Sequence, residues 1–324
     1  MRKSFSCLAL LLITGLLGCS HSEVPITRNG PGMLAPVRVE NWTYDGSPAK
    51  RVVTEHYIVY ATVTDDDFLE SMGQLMEGAL AEYRQLAPDV PESDRPMECY
   101  LFANRPQWAQ FTKAKTGDDA AVYLQINRGG YTVRDWYVAY FLGDVGTFCV
   151  ASHEGFHQYA ARHFRSRIPP FLEEGLACMF EDVTWDGRLP RWDLSTNYGR
   201  QTALRKAVDK KILMPLSELA EMHAGQIINK TPDQIAGFYA QCWAFARFLW
   251  EYNNGQYRPA LQKILTDATD GNLFATPPSR TVSGIFWNPR SAKPLLENYL
   301  GADIQSINKQ YQAFMVELAA QQQR

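Results

Sequence analysis

The residues with the clearest chemical potential are His153-Glu154-Gly155-Phe156-His157. Cys149-Val150-Ala151-Ser152 precedes them and Gln158-Tyr159-Ala160-Ala161 follows. The stretch has no proline, so it reads as a helix. Residues four apart share a helix face. Both imidazoles can then reach one ion, as tetrahedral zinc requires, while Glu154 stands beside the ion without binding it. From there a carboxylate can take a proton from a water whose acidity the metal has raised. Gly155 inside a helix costs about 1 kcal/mol relative to Ala, so a close neighbour is expected against the backbone there.

Two histidines do not complete a catalytic zinc site; a third protein ligand and an open position are needed. The metzincin pattern HExxHxxGxxH is set aside because Ala160 replaces its glycine. Carboxylates downstream fit better. In Arg167-Ile168-Pro169-Pro170-Phe171-Leu172-Glu173-Glu174-Gly175-Leu176-Ala177, proline is favoured at a helix's first positions. A second helix is expected from near Pro170, with Glu173 and Glu174 in its first turn. Adjacent helical residues point about 100° apart, so only one of the two should bind.

HExxH followed by a helix reading Leu-Glu-Glu-Gly-Leu-Ala resembles the gluzincins, the thermolysin-like zinc peptidases, and within them the peptidase-MA-like group of secreted bacterial proteins. The resemblance implies Glu174 as the third ligand, with Glu173 the neighbouring candidate. Tyr239-Ala-Gln-Cys-Trp-Ala-Phe-Ala-Arg-Phe-Leu-Trp-Glu-Tyr-Asn-Asn-Gly255 is similar to the helix whose leading tyrosine donates to the oxyanion in aminopeptidases of this clan. That implies a catalytic role for Tyr239. It also implies a supporting, non-ligating carboxylate at Glu181, seven residues after Glu174. Those aminopeptidases carry a Gly-x-Met-Glu-Asn segment that captures the substrate's free amine. Here Gly129-Gly130-Tyr131 occupies the comparable place with no acid, so an aminopeptidase is disfavoured. The resemblance covers residues 50–320 in overall order, and its specific parts are 153–157 and 171–177.

The chain that must position these groups begins with Arg2 and Lys3, an apolar run from Phe5 to Leu17, and Leu16-Leu17-Gly18-Cys19. The run is too short to span a membrane. Residues 1–18 read as a lipoprotein signal peptide, with lipidation on Cys19. Residues 19–35, with Pro25, Gly30, Pro31 and Gly32, read as a tether. The expected location is the cell envelope, lipid-anchored on the extracytoplasmic side of a membrane.

The net charge is −3, or −5 without residues 1–18, which carry two basic groups and no acidic one. With no basic run, there is no electrostatic case for nucleic acid. Hydrophobic content of 46% with 12% aromatics indicates a well-cored globular body. Cys99, Cys149, Cys178 and Cys242 remain after the signal, without a CxxC. Cys149 lies one turn before His153 and Cys178 one turn after Glu174, so a Cys149–Cys178 disulfide is conceivable if the two helices run antiparallel.

Val37 to Tyr44 and Arg51 to Val63 are β-like and separated by Asp45-Gly46-Ser47-Pro48, a hairpin signal. Helical spacing runs from Asp65 to Leu86, and Met97 to Phe102 reads as a buried strand. Arg105 to Lys115 reads as a helix. Ala121 to Ile126 and Tyr131 to Leu142 read as a strand pair joined at 127–130; a plain structural hairpin is the favoured reading, and an edge that pairs with an extended peptide is the alternative. Residues 182–194 read as an irregular loop or lid. Helices are expected at 197–210, 216–223, from Thr231-Pro232-Asp233-Gln234 to Asn253-Asn254-Gly255, at 256–267 and at 302–320.

The order implies an α+β fold: an N-terminal mixed strand and helix lobe over 36–142, ending in the edge hairpin, then a mainly helical lobe over 143–324 with the HExxH zinc helix, as in thermolysin. The expected activity is peptide-bond hydrolysis by zinc-activated water. It calls for a peptide or protein substrate, contact with a membrane through the N-terminal lipid, and no obligate protein partner. The rival is a non-catalytic metal-binding or structural envelope lipoprotein with a peptidase-like fold.

Overall fold

The structure is a computed structural model describing residues 29–86, 91, 95–127, 129–227, 229–274 and 288–321. The expected signal peptide, Cys19 and most of the tether lie outside the described residues.

β1 (Arg38–Tyr44) and β2 (Ser47–Val53) pair antiparallel across Asp45-Gly46, whose φ values of 49° and 73° suit a two-residue hairpin turn. β3 (Tyr57–Ala61) adds to β2, and α1 (Asp66–Leu86) crosses over to β4 (Met97–Phe102), parallel to β3. Then come α2 (Arg105–Thr116), with Asn104 as its N-cap, the short α3 (Ala120–Tyr123), and the hairpin of β5 (Gly130–Val133) and β6 (Trp136–Tyr140). α4 (Asp144–His163) and α5 (Pro170–Cys178) follow, then a second hairpin of β7 (Val183–Asp186) and β8 (Leu189–Trp192). The rest is helical: α6 (Tyr198–Asp209), α7 (Leu216–Leu219), α8 (Ala224–Ile227), α9 (Pro232–Gly255), α10 (Arg258–Asp270), α11 (Ala292–Leu300) and α12 (Ile304–Ala320). The fold is α+β. Among the described residues no helix is long and apolar enough to cross a membrane.

The main sheet has the order β1-β2-β3-β4-β6-β5, so β5 is an edge. Strand alternation gives it two apolar faces. Cys99, Leu101, Tyr137 and Ala139 face α1 and α4, whereas Phe102, Val138 and Tyr140 face α2 through Trp108 and Phe111. The first of these cores runs without a break from Val52 to Ala319, across the expected boundary at 142.

Buried polar contacts fix α4 on the sheet. Gln158 Nε2 donates to the backbone oxygens of Glu98 (2.7 Å) and Asp135 (2.8 Å), and its Oε1 accepts from the Cys99 thiol. Tyr83 Oη donates to Ser152 O at 2.6 Å, and a Cβ on residue 155 would sit 2.8 Å from that hydroxyl. This is the close neighbour that Gly155 implied. α9 starts with a Thr231–Gln234 capping box and is buried on all sides from Ala240 to Leu249, with Tyr239 half-buried just before. α5 meets it so closely that a Cβ on Gly175 would lie 2.1 Å from Cys242 O.

Several expectations are corrected. The run from Arg51 to Val63 is two strands, not one. Residues 120–123 are a helical turn; tertiary contacts override their β-like composition, because the Tyr123 ring packs at a tilt on Tyr131, 4.4 Å between centroids. The edge hairpin therefore lies within 130–140 and turns at Arg134-Asp135, with Arg134 at φ 57°.

Residues 183–192 are a hairpin, not an irregular loop: Gly187 takes φ 61° after Asp186, and Trp192 is buried with Nε1 donating to Phe180 O at 3.0 Å. Residues 29–35 are docked rather than loose. Asn29 bridges to Trp192; the Ala35 backbone N–H donates to Gln74 Oε1, and Gln74 Nε2 donates to Ala35 O. Cys149 and Cys178 are free thiols, as are Cys99 and Cys242; the Cys178 sulfur turns to His153 instead, 3.9 Å from Nδ1.

Two outcomes follow. Gly175→Ala drives a methyl group into backbone and should destabilise the fold by about 3 kcal/mol, measured by denaturant unfolding; a change within experimental error would contradict the α5–α9 approach. Thiol titration of the unfolded, unreduced protein should find Cys99, Cys149, Cys178 and Cys242 all reactive.

Candidate metal centre

α4 and α5 bring three ligand atoms together. His153 Nε2 and His157 Nε2 are 3.2 Å apart, and Glu174 Oε2 lies 3.3 Å from the first and 3.4 Å from the second. Zinc bonded at about 2.0–2.2 Å in a tetrahedron needs ligand atoms about 3.3–3.6 Å apart. Glu174 Oε2 is buried and, among the described residues, has no donor near it other than the two Nε2 atoms, although a carboxylate in such a place should have a further partner. The donor set, its spacing and the orphaned oxygen all fit a divalent zinc-like cation. The side chains of His153, His157 and Glu174 remain 12%, 15% and 13% exposed, which leaves an approach for a further ligand.

The far nitrogens are also occupied. His153 Nδ1 contacts Glu181 Oε1 at 2.9 Å, and His157 Nδ1 contacts Glu173 Oε1 at 2.8 Å. Burial pushes both carboxyls up. For Glu181 this is outweighed chiefly by the Arg200 guanidinium and then by His153, which hold it far below the usual carboxylate range. For Glu173, His157 and then Arg167 outweigh burial. Ionised carboxylates only accept, so both Nδ1 atoms carry the proton and both Nε2 atoms are committed to the centre.

Glu181 is not on an extension of α5, which ends at Cys178; it reaches His153 from the bend before β7. Glu173, weighed from sequence as a rival ligand, is instead the carboxylate behind His157.

Arg200 and Asn197 had no part in the sequence reading. Arg200 donates to both Glu181 oxygens, at 2.8 Å from Nε and 2.5 Å from NH2, and Asn197 Nδ2 donates to Oε2 at 2.7 Å. Arg200 also lies over the Tyr239 ring, 4.9 Å from its centroid, and that ring is 6.4 Å from the His153 ring. Asn197 was legible as the N-cap of α6. Its second contact, across the β7–β8 hairpin, had no sequence signal.

His163 stands where the third histidine of HExxHxxGxxH would, so the exclusion of that pattern rests on Ala160 alone. α4 continues through Ala160, and the His163 ring packs on Tyr159 at 4.6 Å, away from the centre.

His153 Nδ1, Cys178 Sγ and Glu181 form a second group of possible ligand atoms. It is a poor cation site. The Arg200 guanidinium already occupies Glu181, and burial pushes the Cys178 thiol well above its usual value, keeping it protonated.

Glu154 is buried beside the centre and does not bind it. Its Oε2 lies 3.0 Å from Thr132 Oγ1 on β5. Burial raises its pKa, only partly offset by His157 and His153, whereas those same histidines hold Glu174 far below the usual range despite burial. Environment thus separates a carboxyl that favours its proton, Glu154, from one held ionised, Glu174. No family model matches the chain, and neither a curated protein nor a solved structure is significantly similar to it.

In the metal-free protein, protons occupy the centre. Burial lowers His153, but Glu174 and Glu181 more than offset this and raise it from 6.5 to about 9; His157 is likewise raised, against burial, by Glu174 and Glu173. A histidine with a raised folded-state pKa contributes stability that is complete below its unfolded value and is lost as pH rises through its folded value. The metal-free protein should therefore lose several degrees of Tm between pH 6.5 and 9, and zinc should abolish that loss. A metal-free Tm that is flat or rising over this range would contradict the arrangement.

Proposed function

We propose that the protein is a membrane-tethered, extracytoplasmic zinc metallopeptidase of gluzincin type. The observation that carries this reading is the convergence of His153 Nε2, His157 Nε2 and Glu174 Oε2 on one point, with Glu154 adjacent and outside the ligand set. A binding protein needs the ligands but not that carboxylate. A zinc ion held by the three residues supplies Lewis acidity and a water nucleophile near neutral pH.

The chain's own residues then have defined tasks. Glu154 accepts the proton of the attacking water and passes it to the leaving amine. Its raised affinity for a proton suits both steps. Tyr239, beside His153, donates to the substrate carbonyl oxygen as negative charge develops. Glu173 and Glu181 hold the two rings in the ligating tautomer, and Arg200 with Asn197 holds Glu181.

Among the described residues β5 has no strand on its outer side, which offers an extended peptide an edge to pair with. Residues 127–131 supply no acid to capture a free amine, which favours internal peptide bonds over N-terminal ones. The lipobox-like Leu16-Leu17-Gly18-Cys19 supports attachment to a membrane through lipid.

Mixed peptide libraries test the activity. Glu154→Gln should retain zinc and lower turnover by about 10²–10⁴. Tyr239→Phe should lower kcat by about 10²–10³ without loss of metal. Undiminished hydrolysis by Glu154→Gln would overturn the assigned chemistry. Zinc binding with no cleavage of any library peptide would favour the non-catalytic envelope protein.

A further inference from the structure

Thr132 sits on the edge strand β5, opposite Tyr137 of β6. Its hydroxyl oxygen is 3.0 Å from the Glu154 main-chain oxygen and 3.0 Å from Glu154 Oε2. A hydroxyl has one proton to give. The main-chain carbonyl lies in mid-helix, where the amide four residues on already serves it. The carboxylate has no such alternative: among the described residues no Lys or Arg pairs with Glu154, and the Thr132 hydroxyl is the one hydrogen-bond donor at Oε2. A buried carboxylate oxygen without a donor carries the full cost of lost hydration, so the proton belongs there. Glu154 Oε1 makes no hydrogen bond among the described residues, which leaves it for the reacting water.

From this geometry we infer that Thr132 is a positioning residue for Glu154, acting from the strand along which an extended peptide would lie. The inference rests on the peptidase reading above. Glu154 reaches its place through several rotatable bonds, and without an anchor at Oε2 its carboxylate is free to turn away from the water. The anchor is carried on β5, so a peptide that pairs with this edge steadies the strand that orients Glu154. Thr132 therefore affects the reaction step and not the holding of substrate or metal.

Thr132→Val keeps the β-branched shape and removes only the hydroxyl, and Thr132→Ser keeps the hydroxyl. The full-length protein and both variants are loaded with zinc, and their zinc content, KM and kcat are measured on a peptide that the wild type cleaves. One hydrogen bond to a charged group corresponds to about a ten- to hundred-fold change in rate. Thr132→Val should lose that much in kcat, with KM and zinc content unchanged, and Thr132→Ser should recover most of it. Equal kcat in Thr132→Val and wild type, a rise in KM alone, or loss of zinc would each overturn the positioning role. If the wild type itself cleaves nothing, the peptidase reading fails and this inference falls with it; if it cleaves and Thr132→Val matches it, the inference alone fails.

Discussion

Two buried imidazole nitrogens and one buried carboxylate oxygen point at the same spot, 3.2–3.4 Å from one another. Burial of these groups is expensive unless positive charge sits between them. Without a metal that charge comes from protons on the histidines, which is why their pKa values rise while that of Glu174 falls. The surrounding architecture serves to keep these three atoms from relaxing apart.

The restraint comes in layers. Glu173 and Glu181 fix the far side of each ring, and Arg200 and Asn197 fix Glu181. Gln158 and Tyr83 fix the roll and depth of α4 on the sheet, and the Gly175 contact fixes α5 against the buried α9. The same contact brings Tyr239 beside His153. The β5 edge closes the centre from the other side through Thr132. Elements from Thr132 to Tyr239 meet in one place, and the core that holds them is continuous.

What could be read in the sequence was whatever is local. His153 and His157 are one helical turn apart, Pro170 marks the start of α5, and Thr231 to Gln234 carries its own cap; each was legible because neighbouring residues determine it. The Asp186-Gly187 turn is equally local, yet 182–194 as a whole reads as an irregular loop because its strands are only four residues each. Ala121 to Ile126 misled because a β-like composition yields to packing on Tyr131. Glu173, Arg200 and Thr132 were not legible in their present roles. Their partners lie 16, 19 and 22 residues away, and nothing in the intervening residues fixes how the chain returns. Of the residues to which the gluzincin resemblance pointed, Glu174 Oε2 lies against both Nε2 atoms, Glu181 lies behind His153, and the Tyr239 ring is 6.4 Å from the His153 ring.

The central claim is that His153, His157 and Glu174 hold one metal ion. Its most direct test is the zinc content and affinity of the purified protein beside Glu174→Ala and Glu173→Gln. The account predicts one tightly bound zinc per chain in the wild type. Glu174→Ala should lose it, and Glu173→Gln should keep it with affinity weakened about 10- to 100-fold, as expected for a group that only orients a ligand. A wild type that binds no zinc at neutral pH, or a Glu174→Ala protein that binds it as tightly as the wild type, would contradict the account.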